Sequence, residues 1–159
     1  MEENKKHWYA IKVFWRRTEP LKDKLDEMGV EYYFQKILPS YMFLHTDRSM
    51  VLRIRSDFFG LLYLYADHKT KEPSVVPDKE MEIFKIVTSS AATGLEFLGP
   101  DAAVYRKGDR VRVTDGPFKG AEGYIIRIKK DRRLVVSITG IAAIATSYIP
   151  PDLLEKVEE

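Results

Sequence analysis

The pattern of apolar and polar residues over positions 7–98 predicts an α+β domain. Trp8–Trp15 is aromatic and β-branched, as strands typically are. Thr18 precedes apolar residues at helical spacing, so we predict that it caps a helix that Gly29 ends. The other predicted elements are strands at Glu31–Phe34, Tyr41–His45, Leu61–Tyr65 and Leu95–Leu98, and helices capped by Asp47 and Asp78. This order predicts a ferredoxin-like fold, an antiparallel sheet that carries helices.

Residues 99–103 form a predicted linker, and beyond them the pattern changes to strands and glycines. Val111–Val113 and Tyr124–Ile128 are β-branched runs on either side of a loop. The loop holds Gly116, Pro117, Phe118, Gly120 and Gly123. Glycines at this spacing indicate positions of positive φ, the proline fixes φ, and the phenylalanine ring can anchor the loop. The sequence therefore predicts a small all-β domain over residues 104–157.

Composition indicates a globular chain of one domain or two small ones. The 159 residues are 45% hydrophobic and 31% charged, which is not the composition of a disordered chain. No apolar run reaches the ~18 residues that a membrane span needs, and the first residues carry no apolar signal segment. The absence of cysteine excludes disulfides and thiolate sites, and it fits a cytoplasmic protein.

Charge is distributed unevenly although the net charge is only +2. Residues 1–100 are balanced, with 15 basic and 15 acidic side chains, whereas residues 105–133 carry ten basic and four acidic ones. A second basic run lies between Lys5 and Lys24. Within the 105–133 stretch, five basic residues surround Asp131, at positions 127, 129, 130, 132 and 133. Such patches permit nucleic-acid contact with a steep salt dependence, and solvated surfaces explain them equally well.

The residues give little support for catalysis. His7, His45 and His68 lie far apart in sequence and lack metal-ligand spacing. The glycines at 116–123 lie between strands and do not open a helix, which excludes a phosphate-binding P-loop. We therefore expect no enzymatic activity, no cofactor and no metal.

Two stretches carry a family resemblance. Gly-Pro-Phe-x-Gly-x-x-Gly at 116–123, after Val-x-Val at 111–113, resembles a KOW motif, which implies an SH3-like barrel over 104–157. Residues 7–98 resemble the NusG N-terminal (NGN) domain at Trp8-Tyr9, Pro39–Leu44 and Val75–Met81. The chain thus resembles NusG-family transcription elongation and antitermination factors. The stretches 105–113 and 150–154 are most similar to the UpxY-type paralogues of Bacteroidetes capsule operons.

The resemblance implies a monomeric, non-enzymatic factor that binds RNA polymerase and suppresses pausing or termination at specific operons, such as those for polysaccharide biosynthesis. In this family a hydrophobic depression grips the clamp helices of the beta-prime subunit. The matching residues are Trp8, Leu38, Pro39 and Tyr41. Aromatic anchors of this kind dominate protein–protein affinity. The resemblance also implies a gate-loop contact through Arg53, Ile54 and Arg55.

Specialised relatives touch the non-template DNA strand, and nascent RNA is a further expected partner. The candidates for nucleic-acid contact are Lys12, Trp15, Arg16 and Arg17, where a ring and guanidinium groups lie together. The KOW partner is unknown, because Ala121 and Ile141 stand where housekeeping relatives often have aromatic or basic residues. Residues 141–144 are either a different partner surface or core.

Two alternatives remain open from sequence. A ribosome-associated RNA-binding protein would also contain a KOW barrel, and its isolated residues 104–159 would bind ribosomal RNA. A small enzyme would need a polar pocket with perturbed acids or histidines.

Overall fold

The computed structural model describes residues 5–14, 17–38, 40–90, 92–99, 108–128, 130–138 and 140–157. Its elements are β1 (His7–Val13), α1 (Thr18–Met28), β2 (Glu31–Tyr33), β3 (Tyr41–Thr46), α2 (Arg48–Asp57), β4 (Leu62–Leu64), β5 (Val75–Val76), α3 (Asp78–Thr88), β6 (Glu96–Gly99), β7 (Arg110–Val113), β8 (Glu122–Ile128), β9 (Asp131–Ile138), β10 (Ala142–Tyr148), a 3-10 helix (Pro151–Leu153) and β11 (Leu154–Lys156). The contacts divide the chain into two compact units, Met1–Asp78 and Lys79–Glu159.

The first unit contains an antiparallel sheet in the order β2-β3-β1-β4, and the short β5 also pairs with β1. Helices α1 and α2 supply apolar side chains to the same core as one face of this sheet. That core consists of Tyr9, Ile11, Val13, Leu21, Leu25, Val30, Met42, Leu44, Val51, Ile54, Leu62 and Leu64. The predicted antiparallel sheet with helices is therefore present. The ferredoxin-like NGN assignment stays a prediction.

The helix ends confirm two predicted signals and correct a third. Gly29 ends α1 with φ of +71°, a conformation that suits glycine. The Asp47 carboxylate caps α2 by accepting a hydrogen bond of 2.8 Å from the Met50 amide. The predicted Thr18 cap is wrong, because Arg17 holds the N-cap position and Thr18 is already helical. Thr18 has the polar hydroxyl that N-cap residues often carry, but the N-cap position lies one residue earlier, at Arg17.

Replacing Asp47 with alanine is expected to destabilise the first unit by about 1 kcal/mol, because the Met50 amide loses its acceptor at a half-buried helix end. Urea unfolding of the Asp47→Ala variant measures this loss. Asp23→Ala, which removes an exposed acid from α1, is the matched control, and equal losses in both variants would contradict the capping role.

The second unit contains an antiparallel sheet in the order β11-β7-β8-β9-β10-β6, together with α3. The predicted all-β character of residues 104–157 agrees with strands β7 to β11, and residues 100–107 lie outside the described ranges. Strand β6 confirms the strand predicted at Leu95–Leu98, but it pairs with β10 rather than with the first sheet. The contact division thus differs from the predicted ranges 7–98 and 104–157 at α3 and β6. An alternating pattern of apolar and polar residues predicts a strand, but it does not show which strand it pairs with.

Candidate docking and nucleic-acid surfaces

The first sheet presents a second, aromatic face, because side chains alternate along its strands. On β1, Tyr9, Ile11 and Val13 point into the core, so their neighbours point the other way. The cross-strand register places the following residues on that other face: Trp8, Ala10, Lys12, Tyr41, Phe43, His45 and Tyr63. Tyr65 joins them, because its amide donates a hydrogen bond to the Ala10 carbonyl and its ring packs on Tyr41 and Tyr63. We call this set the aromatic face.

Trp8 and Tyr41, two of the residues predicted to grip polymerase, lie on the aromatic face, but they are buried. Trp8 is 7% exposed and stacks on His45 with ring centroids 4.8 Å apart. Leu38 and Tyr41 are also buried, and Pro39 lies outside the described residues. A ligand on this face would therefore meet the exposed neighbours of these side chains first. Their contact with polymerase stays a prediction.

Those neighbours form a cluster of tyrosines that sequence reasoning did not single out. Tyr65 stacks on Tyr41 with centroids 6.1 Å apart and meets Tyr63 edge to face at 5.1 Å. Burial, followed by a hydrogen bond shared with Tyr41, raises the pKa of Tyr65 above its ordinary value. Tyr63 is 44% exposed, and the Lys12 ammonium lies 5.8 Å from the Tyr41 ring centroid. The cluster thus offers an exposed ring packed against buried rings, beside a cation.

The tight turn before β3 fixes the position of Tyr41. Ser40 has φ of +64°, the left-handed region, and its carbonyl accepts a 2.7 Å hydrogen bond from the Val13 amide. The Tyr41 amide bonds the Leu38 carbonyl at 3.3 Å. These bonds hold the start of β3 against the end of β1.

Helix α2 divides the three residues predicted to contact the gate loop. Arg53 and Arg55 lie on its exposed side, and Arg53 pairs with Asp57 at 3.4 Å. Ile54 is fully buried in the core, because positions three apart on a helix share the face that packs on the sheet. Only the two arginines are therefore available for such a contact. Arg55 also lines a cavity of about 660 Å³ next to Phe59, whose ring is 88% exposed.

The predicted nucleic-acid contacts fall at the end of β1 and the start of α1. Lys12 and Arg17 are exposed, whereas Trp15 and Arg16 lie outside the described residues. Arg17 and Lys24 flank an apolar recess of about 160 Å³ floored by Pro20 and Leu61. Two cations beside an apolar floor match the chemistry of a nucleotide, in which a charged phosphate adjoins a flat base.

The predicted loop residues of the second unit have distinct structural roles. Gly116 and Gly120 adopt φ of +88° and +92°, as expected. Phe118 is buried and anchors the loop, while Pro117 is exposed. Gly123 does not have the positive φ that the spacing predicted. A glycine is needed there for a different reason, because a Cβ atom would lie 2.1 Å from the Val135 carbonyl oxygen. This glycine is required because β8 and β9 approach closely.

The question left open at positions 141–144 is answered by burial. Ile141, Ala142, Ala143 and Ile144 are all buried, so the structure assigns them to the core. Ala121 is buried as well. Sequence reasoning could not separate core from partner surface here, because apolar residues serve both.

A buried carboxylate organises the charges around the same sheet. Glu122 is almost fully buried and lies 3.2 Å from Lys79, 3.6 Å from Arg110 and 3.6 Å from Arg112. Arg112 also pairs with Glu155 at 2.9 Å. Arg110 and Arg112, which belong to the basic stretch at 105–133, are therefore already paired with acidic side chains of the same unit.

Two kinds of site do not occur among the residues that the structure describes. No group of three or more histidine, aspartate or glutamate side chains is placed to hold a metal ion. No described helix combines the length and apolar character needed to cross a membrane.

Residues 107–139 match the KOW motif family. The fold is similar to that of NusG from Thermotoga maritima, in a structure that describes domain interaction, with a TM-score of 0.53 and 20% identity over 97% of this chain and 98% of that chain. The MjSpt4:Spt5 complex in conformation B aligns with a TM-score of 0.31 and 15% identity, covering 96% of this chain and 97% of that chain. A search of curated proteins finds no match. The chain therefore contains a KOW motif within a NusG-like fold.

Proposed function

We propose that this chain is a NusG-family transcription elongation factor of the antitermination type, acting as a monomer in the cytoplasm. The observation that carries this proposal is a KOW motif at residues 107–139 in a chain whose fold resembles NusG along 97% of its length. In this proposal the first unit is an NGN domain and strands β7 to β11 form an SH3-like barrel. The chain is not an enzyme and needs no cofactor.

The proposed polymerase-binding surface is the aromatic face of the first sheet. Trp8, Leu38 and Tyr41 support it from within, and Tyr63 is the ring that a clamp helix would meet. An exposed tyrosine on a packed base suits this role, because its apolar ring is buried on binding while its hydroxyl stays at the wet rim. Arg53 and Arg55 extend the contact to the gate loop.

Replacing Tyr63 with alanine is expected to weaken binding to core RNA polymerase about 30-fold, since an aromatic anchor contributes about 2 kcal/mol. Titration of labelled protein with polymerase measures affinity, and transcription across a pause site should show that pause suppression is lost in parallel. Tyr63 is a better target than Trp8 or Tyr41, because removing a buried ring would also destabilise the fold.

The control is Tyr148→Ala, which removes a tyrosine that is 53% exposed on β10 of the other unit. Its affinity should match that of the unchanged chain. Unaltered binding by a folded Tyr63→Ala variant would remove the aromatic face from the proposal. If the unchanged chain binds polymerase but does not shorten pauses, the antitermination function fails.

The finer proposal is that the chain is an UpxY-type factor serving polysaccharide operons, and it rests on the stretches 105–113 and 150–154. Lys12 and Arg17, with Trp15 and Arg16 between them, would contact non-template DNA. The KOW partner differs from that of housekeeping NusG, because Ala121 and Ile141 are buried apolar residues where an aromatic and a basic contact residue are expected. Placement at the head of a long polysaccharide operon would support this subtype, and a housekeeping genomic context would contradict it.

A further inference from the structure

Two arginines face each other across the hairpin of β8 and β9. Arg127 and Arg132 are direct cross-strand partners, and both are exposed. No acidic side chain of the described residues pairs with either of them. Like charges in directly opposite positions destabilise a sheet, because their Cβ atoms are only about 5 Å apart. Within the described part of the chain, the fold thus holds two guanidinium groups together without an acidic partner.

The next residue along β9 shows the contrast. Arg133 is 11% exposed, and it donates hydrogen bonds to Glu96 at 2.9 Å and to two backbone carbonyls. Its positive charge is therefore offset by partners within the second unit. The basic run around Asp131 looks uniform in sequence, but its arginines differ in the structure. Arg133 is held by hydrogen bonds within the unit, whereas Arg127 and Arg132 have no acidic partner among the described residues. Lys130, exposed at the hairpin tip with φ of +75°, adds a third cation.

The arginine pair borders an open recess of about 440 Å³ at the same end of the sheet. Its lining is mainly apolar and consists of Val111, Ile125, Ile126, Ile149, Pro151 and Leu154, with Asp109 and the two arginines at the rim. Asp109 lies 3.6 Å from the Lys156 ammonium, so its charge is offset. The recess therefore combines an apolar floor with a cationic rim.

We propose that this recess binds the phosphodiester backbone of single-stranded nucleic acid, with a phosphate between Arg127 and Arg132 and an unstacked base on the apolar floor. Guanidinium groups present planar, paired donors that match phosphate oxygens. A base can enter a recess only when it is free of a duplex, which selects a single strand. The site lies in the second unit and does not depend on the proposed polymerase surface.

The test is fluorescence anisotropy of the full chain with labelled single-stranded RNA, single-stranded DNA and duplex DNA of about 12 nucleotides, within the usual range of single-strand site sizes. The Arg127→Gln/Arg132→Gln variant is expected to lose about tenfold in affinity for single strands. Its plot of log affinity against log salt should be shallower by about 0.7, since the two arginines hold one phosphate and each single-strand phosphate contact contributes about 0.7. A preference for RNA or for DNA identifies the source of the phosphates.

The matched control is Lys36→Gln/Lys69→Gln, which removes two exposed charges from the first unit and should leave affinity unchanged. Urea unfolding verifies that the arginine variant is folded. Its unfolding midpoint should be at least as high as that of the unchanged chain, because the substitutions remove a repulsive pair. Equal losses in both variants, or equal affinity for duplex DNA, would overturn the proposal. Loss of polymerase binding in Tyr63→Ala would leave this result unaffected.

Discussion

Gly123→Ala is expected to destabilise the second unit by about 3 kcal/mol or more. The added methyl group would lie 2.1 Å from the Val135 carbonyl oxygen, and that oxygen belongs to the backbone of β9, which cannot rotate away. Relief requires β8 and β9 to separate where Tyr124 pairs with Val135, so strand hydrogen bonds are strained as well. Urea unfolding measures the loss, and amide hydrogen exchange along β8 should show where it acts.

Gly140→Ala provides the comparison. Gly140 has φ of +77° but no atom within 4 Å of an added Cβ, so only the backbone conformation opposes the change. That cost is about 1 kcal/mol. Equal losses for Gly123→Ala and Gly140→Ala would show that close approach of the strands is not what requires glycine at position 123.

Arg133→Ala is expected to cost about 3 kcal/mol in the stability of the second unit. The guanidinium donates to the Thr146 carbonyl at 2.5 Å, the Gly94 carbonyl at 2.9 Å and the Glu96 carboxylate at 2.9 Å. The Arg133 side chain is only 11% exposed, and its truncation leaves three acceptors without their donor, two of them in part-buried hydrogen bonds. Amide exchange should rise most along β6, because Arg133 links that strand to β9 and β10.

The adjacent exposed residue gives a close control. Arg132→Ala removes the same side chain one position away, and no described acceptor loses a partner there. Its stability should therefore match that of the unchanged chain. If the two variants lose equal stability, the hydrogen bonds of Arg133 do not hold β6 in place.

The sequence predicted most elements because their signals are local. Helix α2 begins where Asp47 can cap it, and Gly116 and Gly120 adopt the left-handed conformation that their spacing indicated. The burial of individual side chains was harder to predict from the sequence. Ile54 is core rather than contact surface, since whether an apolar residue faces solvent depends on what packs over it.

Two further features were not predicted from the sequence. Tyr63 is exposed on the aromatic face, and a period of two between Leu62 and Leu64 could have indicated its direction. Charge alone did not distinguish Arg132 from Arg133, because adjacent residues of a strand point to opposite faces and only Arg133 meets acceptors. Charge counting treats both arginines alike.

The pairing of β6 with β10 determines how the KOW half could be expressed by itself. A fragment cut at residue 104 would lack Glu96–Gly99, leaving the amides and carbonyls of β10 open to a neighbouring molecule. It would also uncover the apolar patch of Val135, Ala143 and Ala145, against which Leu98 packs. Such a truncated piece invites strand-by-strand self-association, which would obscure any RNA-binding assay, whereas a piece starting at residue 92 retains its own protective border.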